Sequence, residues 1–203
     1  MPYCTPRLSR KKGEPQKLLR RLSAVAALLL LLGSSGCQTP RATGVLPPTT
    51  QQPAWDVCFS PKDGCTDLIV RTLAQARNTV HVQAYSFTSR PIAQALVDAH
   101  RRGVRVEVIL DKGQRRGQGV QTEFLAQAGV PVRIDDDHAI AHNKVMVIDG
   151  ETVVTGSFNF TNSAEERNAE NLLVIRDRAL AERYEQNWQK HKAHSERYEA
   201  VDR

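Results

Sequence analysis

The stretch His142-Asn143-Lys144-Val145-Met146-Val147-Ile148-Asp149-Gly150 decides how the chain is read. An unbroken apolar run, Val145 to Ile148, lies between a histidine–lysine pair and an Asp-Gly turn signal. Such a run, bounded by a turn, reads as a buried strand over 142–148. Asp149-Gly150 is a hairpin signal, so 152–155 should pair antiparallel with it. Strand side chains alternate, which puts His142, Lys144 and Met146 on one face and Val145 and Val147 on the other. A histidine and a lysine side by side over one pocket suit phosphate chemistry. The imidazole attacks or protonates, and the fixed cation holds the charge. Gly156-Ser157-Phe158-Asn159 and Asn168-Ala169-Glu170-Asn171 follow closely and add polar groups to the same region.

Outward from the hairpin, strand and helix patterns alternate. Strands are expected at 57–59, 79–85, 104–110, 132–134 and 171–175, with helices at 66–77, 89–102, 120–128 and 179–194. Thr66 or Asp67 is the expected cap of the first helix. Pro91 is tolerated in the first turn of the second, which Gly103 ends. Residues 112–119 form a glycine-rich basic loop, and Tyr85 and Phe87 read as core. Alternation followed by a hairpin predicts the α/β class, an α/β/α sandwich with a mixed β-sheet.

The spacing His-x-Lys-x4-Asp, followed by Gly-Ser-x-Asn, resembles the signature of the phospholipase D superfamily. With the run 155–161 and the block 168–171, the chain is similar to its small, single-motif, metal-independent bacterial endonucleases over roughly residues 55–195. The resemblance implies a phospholipase D-like sandwich fold and a role for each matching residue. His142 would be the nucleophile, forming a covalent phosphohistidine. Lys144 would hold a non-bridging phosphate oxygen as a point charge. Ser157 and Asn159 would complete the phosphate pocket as hydrogen-bond donors. Glu170 would hydrogen-bond the histidine and set which ring nitrogen faces the substrate. A second acid must protonate the leaving oxygen. Two-motif relatives use one histidine for each task, so a single copy implies a homodimer in which two His142 side chains meet across a two-fold axis. Asp149 lies on the opposite face beside a turn and reads as structural, organising the hairpin or an interface.

The resemblance implies no cofactor and catalysis without metal. Asp135-Asp136-Asp137-His138 offers hard oxygen ligands for Mg²⁺ or Ca²⁺, but an acidic turn accounts for it as well, and no metal ligand is assigned. Lys112, Arg115 and Arg116 follow a core strand, where α/β folds often bind ligands. They read either as contacts to a nucleic-acid backbone or as a solvated loop.

The chain has 203 residues, a net charge of +6 and a pI near 9.4. Residues 1–36 hold seven Lys or Arg and one acid, so of 28 basic and 22 acidic residues, 21 of each remain in 37–203. Nucleic-acid affinity must then come from a local patch rather than from global charge. Residues 1–37 read as an export signal. A basic start precedes an apolar run over 22–32 that is short for a membrane span. Gly33-Ser34-Ser35-Gly36-Cys37 resembles a bacterial lipobox with Ser34 in place of the usual leucine, which makes Cys37 the lipidation candidate; an ordinary cleaved signal and an uncleaved anchor are the alternatives. Residues 38–54 are rich in Pro, Thr and Gln and read as a flexible linker. The catalytic domain is expected over 55–195 and a tail over 196–203. Cys58 and Cys65 would pair in an oxidising compartment and otherwise remain thiols.

These expectations combine into an exported, periplasmic phosphodiesterase that touches membrane only through its signal or lipid anchor. Its expected substrate is DNA, with RNA as a second nucleic acid. A phospholipid phosphodiesterase or phosphatidyl transferase is the first rival. A catalytically dead nucleic-acid-binding module and a metal-dependent nuclease are the others.

Overall fold

The computed structural model describes residues 54–201. The expected signal, Cys37 and, apart from Ala54, the linker lie outside the described residues. One mixed eight-stranded sheet organises the domain. Its strands are β1 (Trp55–Ser60), β2 (Thr79–Ala84), β3 (Arg105–Asp111), β4 (Val132–Asp135), β5 (Lys144–Ile148), β6 (Thr152–Gly156), β7 (Glu170–Arg176) and β8 (Glu196–Arg197). The helices are α1 (Cys65–Ala74), α2 (Arg90–Arg101), α3 (Thr122–Gln127), α4 (Asn162–Glu166) and α5 (Arg178–His194). Strand order is β1-β7-β6-β5-β2-β3-β4-β8. β2, β3 and β4 run parallel, and every other pairing is antiparallel. The α/β/α sandwich is therefore as the sequence indicates.

Both faces of the sheet are covered, which is why β5 is buried at every position. Met146, Ile148 and Val154 join the larger core with Ile69 and Leu73 of α1 and Ile92 and Leu96 of α2. On the other face Val145, Val147 and Val153 pack against Ala181, Leu180 and Tyr184 of α5. Farther along α5, Trp188 is fully buried, stacks on His81 of β2 at 4.1 Å and donates its indole N–H to the Val82 carbonyl at 3.0 Å.

Four local expectations need correction. The motif strand begins at Lys144, because Ala141, His142 and Asn143 form its entry loop. α1 is not capped by Thr66 or Asp67. Gly64 takes the cap position with φ 79°, and the Glu165 carboxylate accepts from the N–H groups of Gly64 and Thr66 at 3.1 and 2.7 Å. A carboxylate there meets the orphan donors and positive end of the helix. The short helix α4, which supplies Glu165, was not expected; Thr161 caps it through the Ala164 N–H. Finally, the described residues of the expected tail, 196–201, are not simply a tail. Glu196–Arg197 pairs with Arg133 and Ile134 of β4, and Tyr198 donates its hydroxyl to Glu123 at 2.9 Å.

Candidate active site

The site residues gather because several strands end at one edge of the sheet. β5 runs antiparallel to its neighbours β2 and β6, so its first residue, Lys144, lies opposite Ala84 at the end of β2. Val145 pairs with Thr155, and Gly156 pairs with Leu172 near the start of β7. Strands lie about 4.8 Å apart. His142, Lys144, Ser157 and Glu170 therefore emerge along one short row.

Lys144 is 7% exposed and bends back over the entry loop. Its Nζ donates to the His142 carbonyl at 2.8 Å and lies 3.1 and 3.2 Å from the two ring nitrogens of His142. Burial lowers the Lys144 pKa, and the negative charge of Glu170 partly offsets that effect. A phosphate arriving here would supply a counter-charge that favours the ammonium form. Tyr85 closes the other side of the histidine, its ring 4.5 Å from the imidazole, and its N–H donates to the Asn143 carbonyl at 2.9 Å. The sequence places Tyr85 in the core; half-buried, it is instead a wall of the site. Its place directly after the β2 residue opposite Lys144 was the available signal. Phe87 is fully buried, as expected.

The Gly156-Ser157-Phe158-Asn159 segment is shaped around the Asn171 carbonyl, which accepts from the N–H groups of both Ser157 and Phe158 at 3.1 Å. Gly156 has φ 148°, and a Cβ there would strike that carbonyl. Ser157 Oγ accepts from the Asn171 backbone and side-chain N–H groups at 3.0 and 3.3 Å. Phe158 and Phe160 are fully buried and anchor the segment. Asn159 between them is half-buried, and its Oδ1 is buried without a hydrogen-bond partner. That amide keeps bonding capacity the protein does not use. Glu170 differs from expectation. Its carboxylate accepts from Asn168 Nδ2 at 3.2 Å and makes no hydrogen bond with His142 in this conformation; its charge acts on Lys144 instead.

Asp149 sits at the far end of β5. Its carboxylate accepts from the N–H groups of Arg77, Asn78 and Thr79 at 2.9, 2.7 and 2.9 Å. It therefore ties the hairpin turn to the start of β2. Two buried aspartates hold the loop before His142, and the sequence marked only one of them, Asp135, and that as part of an acidic run. Asp111, ending β3, accepts from the Ala141 N–H at 2.8 Å, and Asp135, ending β4, bonds the His138 ring at 3.0 Å.

The basic loop is largely neutralised within the chain. Arg115 pairs with Glu196 and approaches Asp136 at 3.9 Å, and Lys112 lies 4.0 Å from Asp136. Among the described residues Arg116 has no ion-pair partner. Cys58 and Cys65 form a disulfide with Cα atoms 5.6 Å apart, so of the two states open from sequence the structure has the bonded one.

With this geometry in place, comparison with known proteins fixes the class. Residues 69–192 match the model of the cardiolipin synthase, PLD-like domain. The chain belongs to the phospholipase D superfamily of phosphodiesterases, as a member with a single motif. It is 47% identical over 131 residues to a phospholipase D of Rickettsia prowazekii, a match covering 64% of each chain. It is 34% identical over 128 residues to the mitochondrial cardiolipin hydrolase of Xenopus tropicalis, covering 63% of this chain and 61% of that one. The chain thus spans about two thirds of the length of these relatives. Among solved structures it resembles Nuc of Salmonella typhimurium, a phospholipase D family member. Identity there is 36% and the TM-score 0.71, over 73% of this chain and all of that one.

Proposed function

We propose that the protein is an exported, metal-independent endonuclease that hydrolyses DNA, and RNA by the same backbone chemistry, as a homodimer. The observation that carries this proposal is the packing of Lys144 Nζ against the His142 ring at the sheet edge. His142 attacks phosphorus, a P–N bond forms, and the P–O bond to the leaving group breaks. The partner's His142 gives its proton to the departing oxygen. Water then attacks the phosphohistidine, gives a proton to the partner's His142 and frees His142. Lys144 neutralises the developing charge, with the Ser157 hydroxyl and the Asn159 side-chain N–H donating to the non-bridging oxygens. Glu170 bonds the histidine once substrate displaces Asn168.

Dimerisation is supported by an exposed apolar strip at the β1 edge of the sheet. Trp55, Val57 and Phe59 of β1 are 51%, 38% and 61% exposed. They stand opposite Ile175, Leu173 and Asn171 of β7, beside the row that carries the site. An exposed apolar strip on an edge strand invites association. The structural likeness to Nuc favours nucleic acid as substrate.

A second reading has its own support. The named relatives include a phospholipase D and a cardiolipin hydrolase, which favours a phospholipid diester on the same phosphate site. Plasmid DNA and cardiolipin vesicles, each incubated with the protein in excess chelator, separate the two. Plasmid cleavage that His142→Ala abolishes supports the nuclease. Turnover of vesicles alone transfers the mechanism to lipid, and normal turnover by His142→Ala refutes the mechanism for both.

A further inference from the structure

Three of the chain's six histidines converge on one carboxylate away from the residues just described. Asp135 is fully buried at the end of β4. His138 comes from the loop leading to the motif strand, and His191 and His194 from the last turn of α5. The Asp135 carboxylate lies 3.0 Å from His138 Nδ1, 2.8 Å from His191 Nδ1 and 3.3 Å from His194 Nε2. One ligand atom from each of the four residues falls within 4.8 Å of all the others.

We propose that Asp135, His138, His191 and His194 form a structural binding site for a divalent transition-metal ion, with Zn²⁺ as the ion its ligands fit. Zn–N and Zn–O bonds of about 2.0–2.1 Å in a tetrahedron put neighbouring ligand atoms about 3.4 Å apart. The observed separations from Asp135 Oδ2, which run from 2.8 to 3.3 Å, already lie close to that edge. Three imidazoles with one carboxylate select zinc and its neighbours over Mg²⁺ or Ca²⁺, which take oxygen ligands.

Two features of the surroundings bear on the choice of cation. The site lies at the C-terminal end of a seventeen-residue helix, where unpaired carbonyls concentrate partial negative charge. The other acids of the Asp135–Asp137 run point elsewhere, Asp136 toward Lys112 and Arg115 and Asp137 to solvent. The oxygen-rich site weighed from sequence is thus absent among the described residues, and a nitrogen-rich one stands in its place.

The ion would join β4, the loop before His142 and the end of α5. It would act by holding that loop, leaving the phosphate chemistry to other residues. The test uses untagged protein stripped with chelator and then titrated with Zn²⁺. Co²⁺ serves as a second probe, its visible absorption reporting a four-coordinate nitrogen–oxygen site. His138→Gln and His194→Gln are the variants, because both side chains are partly exposed, 45% and 30%, and their loss leaves the core intact. The expected result is one ion per chain, a higher thermal midpoint with Zn²⁺, and an affinity weakened at least about tenfold in either variant. Substoichiometric Zn²⁺ uptake, or uptake that both variants retain at wild-type affinity, overturns the proposal. None of these readouts depends on nuclease activity.

Discussion

Asp149 is the motif residue whose role the structure separates from the chemistry, and Asp149→Ala tests that separation. The mutation removes an acceptor from three backbone N–H groups, those of Arg77, Asn78 and Thr79. Hydrogen bonds to a charged group contribute about 1.5–3 kcal/mol each. The donors at Arg77 and Asn78 are exposed and recover water, so only the Thr79 bond carries its full cost. Asp149 also has φ 54°, a left-handed conformation that costs alanine roughly 1 kcal/mol or more. Together these give a loss of about 2.5–4 kcal/mol, a large share of a typical domain's stability. Asp149→Asn keeps the turn conformation and one acceptor oxygen and should lose only about 1–2 kcal/mol. Urea unfolding followed by tryptophan fluorescence reads the shift in midpoint at constant m-value. Turnover per folded molecule should stay near wild type in both variants. An alanine variant within about 0.5 kcal/mol of wild type refutes the structural account. An asparagine variant that folds normally but has lost turnover refutes the separation from chemistry.

Other perturbations follow from the same geometry. Lys144→Met should abolish turnover yet stabilise the fold by roughly 1–3 kcal/mol at neutral pH, because it removes a buried charge that makes no direct salt bridge and that the charge of Glu170 only partly offsets. Burial depresses the Lys144 pKa below its ordinary 10.5, so the wild type recovers stability as pH rises between the lowered folded value and the unfolded one. Urea melts should show the variant's advantage closing at alkaline pH; an advantage constant with pH refutes the assignment to Lys144. Gly156→Ala should cost about 2 kcal/mol or more, because the new Cβ meets the Asn171 carbonyl carbon and Oδ1 at 3.0 Å each. Calorimetry gives the loss, and an unchanged midpoint would show that the β6–β7 crossing has slack.

The sheet and most helices were legible because their signals are local. Alternation in Thr79–Ala84, the apolar run of Lys144–Ile148 and the Asp149-Gly150 turn each fix an element within a few residues. The candidate site was legible for a similar reason, since its residues cluster in two short blocks joined by one hairpin. What stayed hidden depends on distant partners. Glu165 caps α1 from about a hundred residues downstream, and no helix-start rule reaches that far. β8 has two residues and no apolar pattern, so only pairing with β4 defines it. His191 and His194 meet Asp135 across 56 and 59 residues. Their spacing of three along a helix, which puts both on one face, was the only trace in sequence.

The place of β1 at the edge of the sheet governs how the domain assembles. This first strand pairs only with β7, Trp55 against Ile175, so its contacts span the whole domain. Contacts of such separation raise contact order and slow folding, because a long loop must close before any is made. During synthesis the emerging chain can build the β2–β3–β4 parallel unit first, while the β1 segment waits for β7. The sheet thus closes only after nearly the entire domain has been made, which keeps the newly made chain open until late in its synthesis.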